Sequence, residues 1–135
     1  MDAINQKIIK MLQANARESF ATIGKSLDLS APAIGKRVKQ LEDNGIILGY
    51  SLRLNNEKLG VTTRAYINLK IHQSSTIRTA YNQIKHYDEV QRCDRITGED
   101  SLCILAFFNN NKELVTLLER ISQYGIPNTR IILES

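Results

Sequence analysis

The stretch LSAPAIGKRVKQLEDNGII, residues 29–47, decides the fold of the first part of this 135-residue chain. Ser30 is a favourable helix N-cap, and Pro32 is tolerated in a first helical turn because its missing N–H has no intrahelical partner there. Apolar side chains recur at the helical spacing of a buried face at Ile34, Val38 and Leu41. Gly45 is a stop signal. The pattern predicts an amphipathic helix over residues 30–43.

Two shorter helices are predicted before this one. Asp2 is placed to cap a helix over residues 2–14, and Ser19 is placed to cap a second helix that ends before Asp28. The apolar stripes consist of Ile4, Ile8, Met11 and Leu12 in the first helix and of Phe20, Ile23 and Leu27 in the second. Three helices with a tight turn between the last two form a helix-turn-helix layout, in which the last helix enters the major groove of DNA by its N-terminal residues.

The outward side of the third helix carries small and basic residues. Small residues in its first turn let the helix backbone approach the groove, and Ser30 can offer its hydroxyl or N–H to a phosphate. Arg37 and Gln40 can read base edges, whereas Lys36 and Lys39 suit phosphates. The candidate DNA-binding residues are Ser30, Ala31, Pro32, Ala33, Gly35, Lys36, Arg37, Lys39 and Gln40.

A solvated amphipathic face is the alternative interpretation of KRVKQLED (36–43), and for an isolated basic helix it is the commoner one. The context favours DNA binding, because two helices precede the segment at suitable spacing. In addition, YSLRL (50–54) follows with the alternation of a strand and would form the wing of a winged helix-turn-helix domain.

From residue 61 the hydrophobic period changes from helical to alternating. In TRAYINLKIH (63–72), one side of the predicted strand is apolar and consists of Ala65, Ile67, Leu69 and Ile71. The elements that follow are predicted as a helix at 75–87, strands at 90–97 and 101–108, a helix at 111–124 and a strand at 128–134. The order βαββαβ indicates a ferredoxin-like unit, and the whole chain is of the α+β class.

Composition limits the classes of function. The net charge is +4 and 42% of the residues are hydrophobic, which is ordinary for a globular protein. The chain has no apolar run of membrane-spanning length and no signal-peptide pattern at its start, so we expect a cytoplasmic protein without a membrane partner. The Cys and His residues form no ligand spacing, so no metal or other cofactor is expected. The sequence contains no group of nucleophile, base and orienting residue that would indicate an enzyme.

Several short pieces of the first half occur together in one known family. They are Ile8-x-x-x-Leu12, Arg17-x-Ser19, Leu29-Ser30, Arg37-Val38-x-x-Leu41-Glu42-x-x-Gly45-Ile46-Ile47 and Gly49-Tyr50. This half resembles the DNA-binding half of Lrp/AsnC (feast/famine) transcriptional regulators. The second half is similar in layout to their RAM-type domain, with ITGED (96–100) between the second and third strands. The resemblance implies sheet-to-sheet homodimers, further assembly to octamers, and a small effector, typically an amino acid, bound between dimers near that loop.

The loop is the place where this chain departs from the family in a way that bears on its effector. The family pattern is Gly-x-x-Asp, but Ser101 stands at the position of that acid, which has moved to Asp100. Loop N–H groups beside Gly98 can hold a carboxylate, and Glu99 or Asp100 can pair with an α-ammonium group. A plain polar hairpin turn is the alternative. The candidate effector-binding residues are Thr97, Gly98, Glu99, Asp100 and Ser101.

Two further departures lie in the turn of the helix-turn-helix. Gly24 replaces the usual Ala of the family and Asp28 replaces the usual Gly, a position where Asp is tolerated.

We therefore expect a winged helix-turn-helix domain at 1–48, a wing strand and linker at 49–60, and a ferredoxin-like sensing and oligomerisation domain at 61–135. The function expected is sequence-specific transcriptional regulation through double-stranded DNA, modulated by an amino acid or a related metabolite. The alternative is a small-molecule binding and assembly module with little specific DNA binding. An enzyme is a third possibility, against which the absence of turnover would count.

Overall fold

The computed structural model describes residues 1–72 and 77–135, which divide into two compact units, Met1–Arg53 and Leu54–Ser135. The first unit consists of three helices, α1 (Ala3–Ala14), α2 (Phe20–Leu27) and α3 (Ala31–Asp43). Each begins at a capping side chain that the sequence predicts. Asp2, Ser19 and Ser30 accept the backbone N–H of the residue three positions later, at 2.7, 3.0 and 3.2 Å.

The three helices bury one common cluster. Its members come from the apolar stripes of all three helices and are Ile8, Leu12, Ile23, Ile34, Val38 and Leu41. Leu27 packs against this cluster while remaining partly exposed, and Phe20 is 41% exposed. The core of the first unit is therefore the one that helical periodicity predicts, except that Phe20 lies at its margin.

The turn between α2 and α3 depends on two residues. Asp28 adopts the left-handed conformation (φ 58°, ψ 43°), and the N–H of Leu29 donates to the carbonyl of Gly24 at 2.8 Å. A Cβ on Gly24 would overlap the carbonyl oxygen of Leu29. The tight turn thus brings the backbone against α2 at a point where only glycine leaves room.

The predicted wing strand is absent from residues 48–55, which carry neither helix nor strand. The prediction of a strand at 50–54 is wrong for the isolated chain, because a strand requires a neighbour to satisfy its backbone groups and the first unit offers none. The hydroxyl of Tyr50 donates to Glu42 Oε1 at 2.8 Å. The segment leaves its apolar side chains in solvent, with Leu48 93% and Leu52 80% exposed.

The second unit is a four-stranded antiparallel sheet with two helices. Its elements are β1 (Thr63–Ile71), α4 (Ile77–Ile84), β2 (Val90–Arg95), β3 (Leu102–Phe108), α5 (Asn111–Ser122) and β4 (Gly125–Ile131). The sheet order is β2-β3-β1-β4, so the first and third strands are central. This order and the βαββαβ succession confirm the ferredoxin-like layout. The predicted start of α4 at residue 75 lies outside the described residues.

Alternation along the two central strands separates the faces of the sheet. Ala65, Ile67 and Leu69 of β1 are buried, as the period of two predicts, and they face the same side as alternate residues of β3. The buried core under α4 and α5 consists of Ala65, Ile67, Leu69, Ala80, Ile84, Leu102, Ile104, Ala106, Phe108, Leu117 and Ile121. The opposite face carries Tyr66, Asn68 and Lys70.

The last strand begins earlier than its sequence suggests. β4 covers residues 125–131 rather than 128–134, with Pro127 inside it opposite Leu69. Pro is compatible with this strand because β4 lies at the edge of the sheet. Gly125 pairs with Ile71 so closely that a Cβ would overlap the Lys70 carbonyl oxygen. The Gly-x-Pro-Asn sequence, which reads as a turn, is therefore the first half of the strand.

Candidate DNA-binding helix and effector loop

The helix α3 presents one solvent face, and this face is narrower than the predicted set of DNA-binding residues. With the buried side chains of Ile34 and Val38 directed into the core, Pro32, Lys36, Lys39 and Gln40 are exposed, as is Ser30 at the N-cap. Ala31, Ala33, Gly35 and Arg37 are partly buried at the two edges of this face. The exposed residues are those that a groove could reach directly.

One edge of the solvent face is formed by α2. A Cβ on Gly35 would lie 3.3 Å from Cδ2 of the Phe20 ring. Gly35 therefore makes room for an aromatic side chain of the neighbouring helix. Sequence reasoning missed this contact because Phe20 was assigned to the buried stripe of α2. The half-exposed ring now stands beside the helix that is proposed to enter the groove.

The other edge is formed by α1, through Arg37. Its Nη1 donates to Asp2 Oδ2 at 2.8 Å and to Asn5 Oδ1 at 3.1 Å. The Arg37 side chain is 29% exposed, against 75% for Lys39. Sequence analysis did not connect Asp2 and Asn5 with Arg37, since no local pattern links residues that are more than thirty positions apart. Only the opposite charges of Asp2 and Arg37 could have suggested the pair.

The two lysines of the solvent face differ in their surroundings. Lys39 Nζ lies 3.2 Å from Asp43 Oδ2, an exposed pair one helical turn apart that contributes little to stability. Among the described residues, no ion pair involves Lys36. The Lys36 ammonium can therefore contact a phosphate without losing an internal partner. Lys39 would first have to leave Asp43.

The 97–101 loop joins β2 to β3 beside the outer sheet face, which is the face that carries Tyr66, Asn68 and Lys70. Gly98 has a positive φ of 108°, and Thr97, Gly98 and Glu99 are exposed. Asp100 is partly buried, and its Oδ2 accepts Nδ2 of Asn68 at 3.3 Å. None of the hydrogen bonds among the described residues uses the N–H of Gly98, Glu99 or Asp100 as a donor. The loop thus offers backbone donors beside two carboxylates.

Ser101 lies immediately before β3, and its backbone is hydrogen-bonded to neighbouring residues of the sheet region instead of being free in the loop. Its N–H donates to the Leu69 carbonyl at 2.9 Å and its carbonyl accepts the N–H of Ile96 at 3.0 Å. The acid of the loop is instead Asp100, which Asn68 of β1 contacts. The alternation of β1 places Asn68 on the polar face of the strand, and the antiparallel pairing of β1 with β3 brings it to the loop.

Cys93 and Cys103 occupy adjacent strands as partly buried side chains. Burial raises the pKa of the Cys93 thiol to about 11, and the charge of Asp94 adds to this rise. A thiol with so high a pKa remains protonated at neutral pH and is a poor nucleophile. Its role is to fill space in the strand.

Two absences concern only residues 1–72 and 77–135. Over these ranges no helix is both long and apolar enough to cross a membrane. Within the same described part of the chain, no group of three or more His, Cys, Asp or Glu side chains is arranged to hold a metal ion.

Fold and site together define a class of protein. A capped three-helix unit whose last helix exposes lysines and a glutamine is a helix-turn-helix DNA-binding unit, and here it is followed by a ferredoxin-like unit. Residues 1–42 match the AsnC-type helix-turn-helix domain, and residues 64–134 match the Lrp/AsnC ligand binding domain. The chain belongs to the Lrp/AsnC family of DNA-binding transcriptional regulators, a family of regulators and not of enzymes.

Relatives and solved structures agree with this assignment. The HTH-type transcriptional regulator Ptr1 of Methanocaldococcus jannaschii is 37% identical over 105 residues, covering 77% of this chain and 70% of its own. The structure of LrpC of Bacillus subtilis has a TM-score of 0.89 at 25% identity, covering 100% and 96% of the two chains. A feast or famine regulatory protein of Mycobacterium tuberculosis, solved in complex with L-methionine, has a TM-score of 0.92 at 29% identity, covering 99% and 92%.

Proposed function

We propose that α3 enters the major groove of double-stranded DNA with the solvent face centred on Pro32, Lys36, Lys39 and Gln40. The observation that carries this proposal is the exposure of these four residues on a capped helix whose opposite face is buried. Lys36 and Lys39 are suited to phosphates, and Gln40 has the donor and acceptor needed for an adenine edge. Ser30 keeps its hydroxyl proton for a phosphate, since its oxygen already caps the helix.

The other candidate DNA-binding residues of α3 are partly buried and lie at the edges of the solvent face. Ala31, Ala33 and Gly35 have small or absent side chains, so they allow the groove wall to approach the first turns of α3. The sequence predicts that Arg37 reads a base edge, but its ion pair with Asp2 favours a role in holding α3 against α1.

DNA binding by this face is tested by selecting duplexes from a randomised pool and measuring affinity against salt concentration. Lys36→Ala should weaken binding to every sequence and lower the slope of log K against log salt by about one. Lys112→Ala, which removes an exposed lysine from α5, is the matched control and should change neither quantity. An unaltered slope for Lys36→Ala would exclude the phosphate contact.

Gln40 is tested on the same pool through the sequence preference. Gln40→Ala should remove the preference for adenine at one position of each half-site, a discrimination worth about 1–3 kcal/mol. Overall affinity for unrelated duplexes should change little, because a base contact adds nothing to non-specific binding. A preference profile identical to that of the wild-type chain would overturn the assignment.

We further propose that the 97–101 loop binds an amino acid. The exposed N–H groups near Gly98 suit an α-carboxylate, and the carboxylates of Glu99 and Asp100 suit an α-ammonium. The methionine complex of the Mycobacterium tuberculosis relative supports this class of effector. Because Ser101 replaces the family acid, Asp100 takes over its role in this proposal, held in place by Asn68. Bound effector would shift the assembly of the subunits by its different affinity for two states.

The effector is tested by thermal unfolding of the full chain in the presence of each common amino acid. A ligand at about one hundred times its Kd stabilises the folded state by about 2.7 kcal/mol, which raises the melting temperature by several degrees. Asp100→Asn should abolish that rise, and Glu119→Gln on α5 should preserve it. If no amino acid raises the melting temperature at millimolar concentration, the loop binds none of them, and it is either a plain hairpin turn or the site of a different metabolite.

Assembly and location complete the proposal. We infer a homodimer that places two copies of α3 in successive major grooves, and association of dimers to an octamer that raises avidity on DNA carrying several sites. The partly exposed apolar side chains on the outer sheet face, Tyr66, Leu105, Phe107 and Ile126, support the sheet as the dimer contact. We infer that this regulator acts in the cytoplasm.

A further inference from the structure

The Arg37 guanidinium reaches from α3 to the start of α1. One of its terminal nitrogens, Nη1, donates both to Asp2 Oδ2 at 2.8 Å and to Asn5 Oδ1 at 3.1 Å. The two acceptors belong to the N-cap and first turn of α1, whereas Arg37 lies in the middle of α3. A single side chain therefore joins two helices of the first unit outside its apolar core.

Asp2 has two functions in this arrangement. Its Oδ1 accepts the backbone N–H of Asn5 at 2.7 Å and so caps α1, which leaves Oδ2 for Arg37. The bond from the Asn5 N–H and the contact with Arg37 hold the pKa of the Asp2 carboxyl below its usual value. Asp2 is therefore ionised at neutral pH, and the cap and the interhelical contact form one hydrogen-bonded group.

Reading a guanine through both terminal nitrogens of Arg37 would require this group to open, because Nη1 already donates to Asp2 and Asn5. A bidentate contact with guanine uses two N–H groups at the outer end of the arginine side chain, extended into the groove. Arg37 lies at the edge of α3 next to Val38 of the core, and only 29% of its side chain is exposed. Moving it into the groove would break two hydrogen bonds and leave the Asp2 carboxylate without its cation.

We propose that Arg37 is a positioning residue of the DNA-binding unit: it acts through Asp2 and Asn5 to fix where α3 lies on α1, and it contacts no base. Base reading by α3 then falls to Gln40. This proposal rests on the proposed function in one respect, namely that α3 is the helix that enters the groove. It adds Asp2 and Asn5, which lie outside the recognition helix, to the residues on which DNA affinity depends.

The test compares five variants of the full chain, four single and one double, on two DNA probes, the duplex selected by the wild-type chain and a scrambled duplex of equal length. Asp2→Asn retains a side chain that caps helices well but removes the charge that holds Arg37. Arg37→Ala removes the guanidinium, and Arg37→Lys restores a cation that can reach the carboxylate. Glu57→Gln removes one negative charge elsewhere and is the control.

We expect Asp2→Asn and Arg37→Ala to weaken binding to both probes by similar factors, about three- to tenfold, with the ratio between probes and the salt slope unchanged. The double variant Asp2→Asn/Arg37→Ala should lose no more affinity than either single variant, and Arg37→Lys should retain most of the wild-type affinity. The sign for Asp2→Asn is decisive, because loss of a carboxylate alone would strengthen attraction to the DNA polyanion. Circular dichroism well below the unfolding temperature verifies that each variant is folded.

Three results would overturn the positioning role. A relaxed sequence preference for Arg37→Ala but not for Asp2→Asn would show that Arg37 reads a base. A slope reduced by about one for Arg37→Ala alone would show a phosphate contact. Unchanged affinity in folded Asp2→Asn and Arg37→Ala would limit the contact to stability. If instead the wild-type chain selects no duplex from the randomised pool, the proposed function itself has failed.

Discussion

At the scale of single residues, the turn of the helix-turn-helix shows how two departures from the family pattern are accommodated. Gly24 lies where the family usually has Ala, and a side chain there would overlap the carbonyl of Leu29. Asp28 lies where the family usually has Gly, and it adopts a left-handed conformation that costs a residue with a side chain some free energy. Compared with the family pattern, this chain has its glycine in α2, where the backbone of Leu29 comes close, instead of in the turn.

Replacing Asp28 by Gly should therefore stabilise the first unit. We expect Asp28→Gly to raise the free energy of unfolding by about 0.5–1 kcal/mol, since the relief of the left-handed conformation exceeds the added entropy of the unfolded chain. Asp28→Asn removes the same charge but tolerates the conformation, so it should change little, while Asp28→Ala should destabilise. Urea unfolding monitored by circular dichroism measures all three, and an equal effect of Gly and Asn would mean that the charge is what matters.

At the scale of elements, β4 illustrates a strand whose start is determined by its neighbour. Gly125 lies against the Lys70 carbonyl, and Pro127 is accepted because the strand is at the edge of the sheet. The approach of the backbone at Gly125 is what allows pairing to begin three residues before the expected position.

Gly125→Ala should thus loosen the β1–β4 pairing. We expect it to lower the free energy of unfolding by about 1–3 kcal/mol, because the added methyl group overlaps backbone atoms that cannot rotate away. Gly49→Ala is the control, since a Cβ there meets nothing within 4 Å. A destabilisation no larger than that of the control would show that β4 can shift without cost.

How much sequence predicts depends on whether the causes are local. The caps at Asp2, Ser19 and Ser30 and the alternation of β1 were predictable because each depends on neighbouring residues. The start of β4 and the absence of the wing strand were not, since both depend on whether a second strand lies alongside. The exposed face of α3 could be predicted because it depends on local periodicity. The hydrogen bond between Arg37 and Asp2 could not, because it joins two distant parts of the sequence.

At the scale of the whole molecule, the second unit has one covered and one uncovered sheet face. The helices α4 and α5 pack on the face that contains Ile67 and Ile104, while Tyr66, 48% exposed, stands on the other. An uncovered sheet face with aromatic and aliphatic side chains is the kind of surface that protein association buries.

If that face forms the proposed homodimer, a charge at its centre should dissociate it. We expect Tyr66→Lys to raise the dimer dissociation constant by about tenfold or more, because an ammonium would replace an aromatic ring within the buried contact. Leu133→Lys adds the same charge at a 92% exposed position near the end of the chain and should leave the constant unchanged. Sedimentation velocity over a range of concentrations measures both, and equal behaviour would place the dimer contact elsewhere.

The ion pairs of α3 have a consequence for the thermodynamics of DNA binding. The helix carries Lys36, Arg37 and Lys39 against Glu42 and Asp43, so its net charge is 3 − 2 = +1. If α3 binds DNA as proposed, Arg37 is held by Asp2 and Lys39 has to leave Asp43 to reach a phosphate, so the helix alone would neutralise few phosphates and release few condensed counterions. We therefore expect the contribution of α3 to DNA affinity to fall less with rising potassium concentration than that of a more basic recognition helix.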